Sequence, residues 1–211
     1  MRLVTIGDSI TRGTFTDIGE SAPLSIAKPN YSERLGSLLK ADVECRGING
    51  VSMSATSGVN PEYAIANTAR NIGNADVIIV AGGTNDYGTS VKLGEITDTT
   101  DLSFFGALEV TYRTIKKNNP TAAVFVVTPI PRGNEDEPNS VGHTLNDYRR
   151  AIERKAEEFG FFVVDGTKLA INPNLAEERK KYIPDGLHPN NLGHELYAQL
   201  LYEQITDNVK C

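Results

Sequence analysis

The chain has 211 residues, a length that suits a single domain with a sizeable hydrophobic core. Charged residues make up 23% and hydrophobic residues 39% of the sequence, which excludes a disordered chain, a collagen-like repeat and a coiled coil as fold classes. The 21 Lys and Arg against 27 Asp and Glu give a net charge of −6, so we expect no nucleic-acid partner.

The sequence also gives no sign of a membrane or secretory segment. No apolar run approaches the ~20 residues of a transmembrane helix. The apolar segment after Met1 and Arg2 is too short for a signal peptide. Two cysteines, Cys45 and Cys211, do not form a disulfide framework. We therefore expect a cytoplasmic protein with no membrane partner.

Short apolar segments and longer amphipathic segments alternate along the chain. The apolar segments predict strands covered on both faces, at residues 3–6, 77–81, 122–127 and 161–164. Residues 42–46 alternate polar with apolar side chains, which is typical of an edge strand. The amphipathic segments predict helices at residues 31–40, 102–118, 144–159 and 191–205.

This alternation predicts an α/β fold, a three-layer α/β/α sandwich formed by one domain over residues 1–211. A polar second strand fits the edge of a flavodoxin-like five-stranded parallel sheet with the strand order 2-1-3-4-5. Ligands in such sheets bind beyond the carboxyl ends of the strands. Three long polar segments, residues 14–30, 87–101 and 132–142, are predicted to be binding or lid loops there.

Ser9 directly follows the first predicted strand, where a helix should begin. A hydroxyl at this position is accessible from the carboxyl edge of the sheet and could act as a nucleophile. The alternative is that Ser9 is only a helix N-cap, a position that serine favours. Taken alone, Ser9 fits the N-cap better.

His188 supplies the base that a serine nucleophile needs. It lies three residues after Asp185, on a turn that contains Gly186 and Pro189. An acid at this spacing can bond one ring nitrogen and leave the other free to accept a proton. The alternative is a chance Asp and His pair on the surface. Of the other two histidines, His143 is expected to begin a helix and His194 to be a solvated helix residue.

Two further positions could stabilise negative charge on a reacting oxygen. Asn85 follows the glycines Gly82 and Gly83 after a predicted strand, and its amide can donate a hydrogen bond. The alternative for Asn85 is an ordinary Asx turn. Gly50 follows the second predicted strand and could expose its backbone N–H; alone it indicates only a turn.

The sequence lacks the patterns that bind metals or nucleotides. Three scattered histidines are too few for a two-metal phosphoesterase. Residues 7–13 have the wrong spacing for a phosphate-binding loop, with Thr14 where the lysine is needed, and no GxGxxG follows a strand. We therefore expect neither a cofactor nor a metal.

Taken together, these motifs resemble the four signature blocks of the SGNH hydrolases, also called GDSL-type esterases and lipases, and the resemblance extends from residue 3 to about residue 201. The blocks are Gly7-Asp8-Ser9-Ile10, Arg46-Gly47-Ile48-Asn49-Gly50, Gly83-Thr84-Asn85-Asp86 and Asp185-Gly186-Leu187-His188-Pro189. Ile10 stands where the family has Leu, a conservative change. The second block can also be aligned on Met53, and in that alignment a different backbone N–H would donate to the reacting oxygen.

The resemblance implies that Ser9 is the nucleophile, His188 the general base and Asp185 its orienting partner. It also implies an oxyanion hole formed by the backbone N–H groups of Ser9 and Gly50 and by the Asn85 side chain. The expected reaction is hydrolysis of a small-molecule carboxylic ester through an acyl-enzyme.

The polar loops favour a short acyl group, such as acetyl, on a polar or carbohydrate alcohol. One alternative is a lysophospholipase or thioesterase activity, since the family includes both. The other is a non-catalytic module that binds a small molecule, with Ser9 acting only as a cap.

Overall fold

The structure is a computed structural model that describes residues 1–16, 23–57 and 61–208. Within these residues the strands are β1 (Arg2–Gly7), β2 (Thr14–Thr16), β3 (Leu24–Ile26), β4 (Asp42–Gly47), β5 (Val77–Ala81), β6 (Ala123–Val127) and β7 (Phe162–Val164). The α helices are α1 (Ser9–Arg12), α2 (Tyr31–Leu39), α3 (Ile65–Thr68), α4 (Thr84–Gly88), α5 (Phe104–Asn118), α6 (Leu145–Phe159), α7 (Ala176–Tyr182) and α8 (Asn191–Asn208).

Five parallel strands form the central sheet, in the order β4-β1-β5-β6-β7. Numbered within this sheet, the order is 2-1-3-4-5, so the predicted fold class and strand order are confirmed. The alternating strand β4 lies at the edge, as its polar positions predict, and β7 forms the other edge. All other strands of the sheet have a neighbour on both sides.

The three inner strands are buried on both faces, because successive side chains of a strand point in opposite directions and helices cover each face of the sheet. The prediction of a strand covered on both faces at residues 161–164 is wrong, since the edge strand β7 leaves Phe162 and Val163 37% and 36% exposed. Along β5, Ile79 packs into the layer that contains α2 and α8, while Ile78 and Val80 pack into the layer of α3, α5 and α6. Each fully buried side chain of this size contributes about 1.5–3 kcal/mol to folding. None of the helices in the described part of the chain is long and apolar enough to span a bilayer.

One feature near β1 is absent from the sequence analysis. Strands β2 and β3 form a separate antiparallel pair, in which Thr16 pairs with Leu24. This hairpin lies within residues 14–30, which the sequence predicts to be a polar loop. Residues 17–22 of that loop, and Cys211, lie outside the described residues.

Helix α1 lies close against the carboxyl ends of β1 and β4, because both strands end in glycine. Gly7 and Gly47 are paired across the two strands. A Cβ added to Gly47 would lie only 2.1 Å from the backbone nitrogen of Arg12. Glycine at this position therefore allows α1, which begins with Ser9, to lie directly against the end of β4.

Candidate active site

Ser9 is the first residue of α1, immediately after β1. The N-cap of this helix is Asp8, whose Oδ1 accepts a hydrogen bond from the Ile10 backbone N–H at 2.9 Å. The alternative interpretation of Ser9 as the N-cap is therefore wrong. With the capping done by its neighbour, the Ser9 hydroxyl is available for another contact.

The Ser9 hydroxyl contacts the imidazole of His188. Ser9 Oγ lies 2.9 Å from His188 Nε2, and His188 Nδ1 lies 2.7 Å from Asp185 Oδ2. An ionised carboxylate can only accept, so the ring donates its Nδ1–H to Asp185. This tautomer leaves Nε2 free to accept the proton of the serine hydroxyl.

Asp185 is held by several donors besides the imidazole. Its Oδ1 accepts the backbone N–H groups of Leu187 at 2.9 Å and His188 at 2.7 Å, while Thr16 Oγ1 donates to Oδ2 at 3.3 Å. Burial raises the pKa of Asp185, but the hydrogen bonds from His188 and Leu187 outweigh it and lower the pKa to about 2. Asp185 is therefore ionised at neutral pH.

A second carboxyl group, that of Asp8, directly precedes Ser9. Asp8 is 3% exposed, and burial raises its pKa to about 6 against the opposing effects of the Ile10 N–H and of nearby His188. Near neutral pH this group therefore carries a negative charge that is poorly solvated. Such a charge stabilises positive charge on His188.

Asn85 is the second residue of α4, and its side chain connects this helix to the loop after β4. Its Nδ2 donates to the carbonyl oxygen of Val51 at 2.7 Å, and Val51 directly follows Gly50. One N–H of the amide is thereby used, and the other has no partner among the described residues. The backbone N–H groups of Ser9 and Gly50 likewise have no hydrogen-bond partner within the part of the chain that is described.

Gly50 and Met53, the two candidates for the backbone donor in the second signature block, differ in whether the N–H already has a hydrogen-bond partner. The Met53 backbone N–H donates to Asp86 Oδ2 at 2.8 Å, and the Ser54 N–H donates to Asp86 Oδ1 at 3.0 Å. Asp86 is fully buried, and burial raises its pKa to about 7 despite these hydrogen bonds. Since the Met53 N–H is already used, the geometry favours Gly50 as the donor.

Sequence analysis missed two residues that support this arrangement. Thr16 contacts Asp185 from the hairpin, and a threonine in a polar loop carries no signal that would identify it. Asp86 fixes the loop after β4, and here a signal exists, because the carboxyl directly follows Asn85 at the end of a buried strand. No group of three or more His, Cys, Asp or Glu within residues 1–16, 23–57 and 61–208 is arranged to hold a metal ion.

The other two histidines lie apart from Ser9. His143 is partly exposed and lies two residues before α6. His194 is fully buried, so the expectation of a solvated residue is wrong. Its Nδ1 accepts the Tyr31 backbone N–H at 3.2 Å, and its ring stacks on Tyr31, because α8 packs against α2 along this side. Burial lowers the pKa of His194 to about 3, so the ring is neutral.

Comparisons with known proteins agree with this architecture. The sequence pattern of the GDSL-like Lipase/Acylhydrolase family matches residues 5–196. One crystal structure is 31% identical, covers 98% of this chain and 96% of its own, and superposes with a TM-score of 0.86. A protein from Lactobacillus plantarum is 25% identical over 99% of this chain and 97% of its own, with a TM-score of 0.83.

A more distant similarity shows the fold alone. An acetylxylan esterase from Geobacillus stearothermophilus is 20% identical over 97% of this chain and 93% of its own, with a TM-score of 0.63. No curated protein sequence is similar enough to this chain to count as a match.

The buried neutral His194 predicts a loss of stability in acid. The unfolded chain binds a proton at His194 below pH ~6.5, whereas the folded chain does so only near pH 3, so the stability is present above pH 6.5 and lost as the pH falls. His194→Gln keeps an acceptor for the Tyr31 N–H but cannot be protonated. In urea unfolding, we expect the stability advantage of the wild type over this variant to shrink by about 2 kcal/mol from pH 7 to pH 5. An advantage that is the same at both pH values would contradict the assignment.

Proposed function

Because the chain belongs to the GDSL-like lipase and acylhydrolase family, we propose that it hydrolyses carboxylic esters through an acyl-enzyme formed on Ser9. The observation that carries this proposal is the continuous hydrogen-bond chain from Ser9 Oγ through His188 to Asp185, with distances of 2.9 and 2.7 Å. A hydroxyl, an imidazole and a carboxylate in this arrangement can activate a serine at neutral pH.

In the first half of the reaction, Ser9 Oγ attacks the carbonyl carbon of the ester while His188 Nε2 takes the hydroxyl proton. The imidazolium is stabilised by Asp185, which orients the ring and does not take the proton itself. Negative charge develops on the carbonyl oxygen, where the N–H groups of Ser9, Gly50 and Asn85 act as donors. The intermediate then collapses, and His188 returns the proton to the departing alcohol.

In the second half, a water molecule takes the place of the alcohol. His188 removes a proton from the water, the hydroxide attacks the acyl carbon, and the same donors stabilise the second oxyanion. Collapse of this intermediate releases the carboxylic acid, and the proton on His188 returns to Ser9 Oγ. The free enzyme is regenerated without any cofactor in the sequence of steps.

For the substrate, we favour a short acyl group on a polar or carbohydrate alcohol. The polar residues of the predicted loops 87–101 and 132–142 support this preference, because they offer no extended apolar surface for a lipid chain. The acetylxylan esterase of similar fold acts on an ester of this kind, which is consistent with the preference.

One observation favours a longer acyl chain as the alternative. Leu24 and Ile26 of β3 are 67% and 44% exposed. Leu24 pairs with Thr16, whose hydroxyl contacts Asp185, so these apolar side chains lie on the hairpin beside the catalytic residues. Such a surface suits a lysophospholipase or thioesterase substrate.

Removal of the nucleophile should abolish turnover without affecting the fold. We expect Ser9→Ala to lower kcat for p-nitrophenyl acetate by about 10⁴ to 10⁶-fold. Ser37→Ala removes an exposed serine of α2 and is the matched control, for which we expect wild-type kcat. Equal hydrolysis by wild type and Ser9→Ala would instead support the module that only binds a small molecule.

Loss of an oxyanion donor should reduce the rate of the chemical step. We expect Asn85→Ala to lower kcat by about 10² to 10³-fold, equivalent to roughly 3–4 kcal/mol of transition-state stabilisation. KM should change little, since the charge on oxygen develops only in the transition state. Thermal unfolding of the variant checks that the bond to Val51 O was not essential for the fold. Wild-type turnover in a folded variant would remove Asn85 from the proposed site.

A series of p-nitrophenyl esters distinguishes the two substrate classes. We expect kcat/KM to be highest for the acetyl ester and to fall from butyryl to octanoyl, as for a pocket that fits a short acyl group. Leu24→Ser, which removes exposed apolar surface, should leave this order unchanged. If kcat/KM instead rises with acyl chain length in the wild type and no longer rises in Leu24→Ser, the longer-acyl alternative is established.

A further inference from the structure

Arg132 lies on the loop that follows β6, and its guanidinium is fixed from three sides. Nη1 donates to both the carbonyl oxygen and the hydroxyl of Thr84, each at 3.1 Å. Nε donates to Asn134 Oδ1 at 2.8 Å. The guanidinium also lies over the ring of Tyr87, 5.1 Å from the ring centroid. The group is therefore held in one orientation.

Among the described residues, this ordered cation has no anionic partner. No Asp or Glu in the described part of the chain forms an ion pair with Arg132, and Nη2 has no hydrogen-bond partner there. Glu135, the nearest acid along the chain, accepts the Arg132 backbone N–H at 2.9 Å and pairs with Arg149 at 2.9 Å. Arg149, by contrast, combines this ion pair with hydrogen bonds to two carbonyl groups.

The position of Arg132 connects it to the proposed catalytic centre. Thr84, to which the guanidinium is bonded, directly precedes Asn85. On the other side, the Gly133 backbone N–H donates to Gly186 O at 3.0 Å, in the turn between Asp185 and His188. Burial lowers the pKa of Arg132, and the nearby carboxylates of Glu135, Asp185 and Asp8 oppose this effect without cancelling it. The side chain remains charged because arginine titrates far above neutral pH.

We propose that Arg132 binds an oxyanion, such as a carboxylate, carried by the ester substrate, so that the enzyme prefers esters with a negative charge near the scissile bond. This inference rests on the proposed esterase function. A partly buried guanidinium without an anion is costly, and binding an oxyanion at the free Nη2 offsets that cost. Since Nε and Nη1 already donate to Asn134 and Thr84, the N–H groups of Nη2 are the ones left to donate to an oxyanion.

The competing explanation is structural, namely that Arg132 only attaches its loop to α4 and thereby positions Asn85. In that case its loss would slow the hydrolysis of charged and neutral esters equally. A contribution to binding would instead appear only with the charged member of a matched pair. The two explanations therefore differ in a measurable ratio.

The test uses two ester pairs that place the charge on either side of the scissile bond. The first pair is mono-p-nitrophenyl succinate and its methyl ester, and the second is 4-acetoxybenzoate and its methyl ester. We expect Arg132→Gln to lower kcat/KM for the charged member of at least one pair by about 10 to 100-fold more than for its neutral partner, mainly through KM. Arg132→Lys should restore part of this loss, and Arg150→Gln, which removes an exposed arginine of α6, should have no effect.

Equal losses for both members of each pair would overturn the proposal and leave Arg132 as a positioning residue. If wild type hydrolyses none of these esters or p-nitrophenyl acetate, the proposed function itself fails. Should Arg132→Gln not fold, inhibition of wild-type p-nitrophenyl acetate hydrolysis still decides the matter. Benzoate should then inhibit at a concentration at least about 10-fold lower than its neutral isostere benzamide, and equal inhibition by the two would overturn the proposal.

Discussion

The hydrogen bond between Ser9 Oγ and His188 Nε2 joins two groups that are 179 residues apart in the sequence. It forms because β1 ends at Gly7 and α1 begins at Ser9, directly against the end of β4. It also requires that α8 pack against α2, since the turn that carries His188 immediately precedes α8. The buried contact between Tyr31 and His194 fixes this packing. The geometry of the proposed reaction thus depends on how the helical layer is seated on the sheet.

The charges around this hydrogen bond are arranged unevenly. On one side, Asp185 is ionised because its hydrogen bonds lower its pKa to about 2. Asp8 and Asp86 lie in the buried interior, where desolvation raises their pKa values to about 6 and about 7. Elsewhere in the site, the backbone N–H groups of Ser9 and Gly50 and Nη2 of Arg132 have no hydrogen-bond partner among the described residues. Such an arrangement stabilises an imidazolium next to the carboxylates and an oxyanion next to the free donors.

The sheet was predictable from sequence because its inner strands are buried and therefore apolar, while the edge strand β4 alternates. The signature blocks likewise placed Ser9 at the carboxyl end of the first strand, and Asp185 and His188 on the turn before the last helix. The features that the sequence did not reveal escaped prediction for physical reasons. Strands of three residues, such as β2 and β3, are too short to show a period. Apolar residues occur all around α8, so its pattern did not reveal which side is buried, and Leu192 is exposed while His194 is buried. The environment of Arg132 depends on tertiary contacts with Thr84 and Asn134 that no local pattern contains.

The claim that Ser9 is a nucleophile activated by His188 is tested most directly by covalent labelling. Diisopropyl fluorophosphate phosphorylates a serine only when a base removes the hydroxyl proton, and peptide mass spectrometry locates the adduct. We expect one adduct per chain, on Ser9, in proportion to the loss of esterase activity, and a much slower reaction in His188→Ala. Full activity without an adduct on Ser9, or an inactivating adduct on another residue, would contradict it.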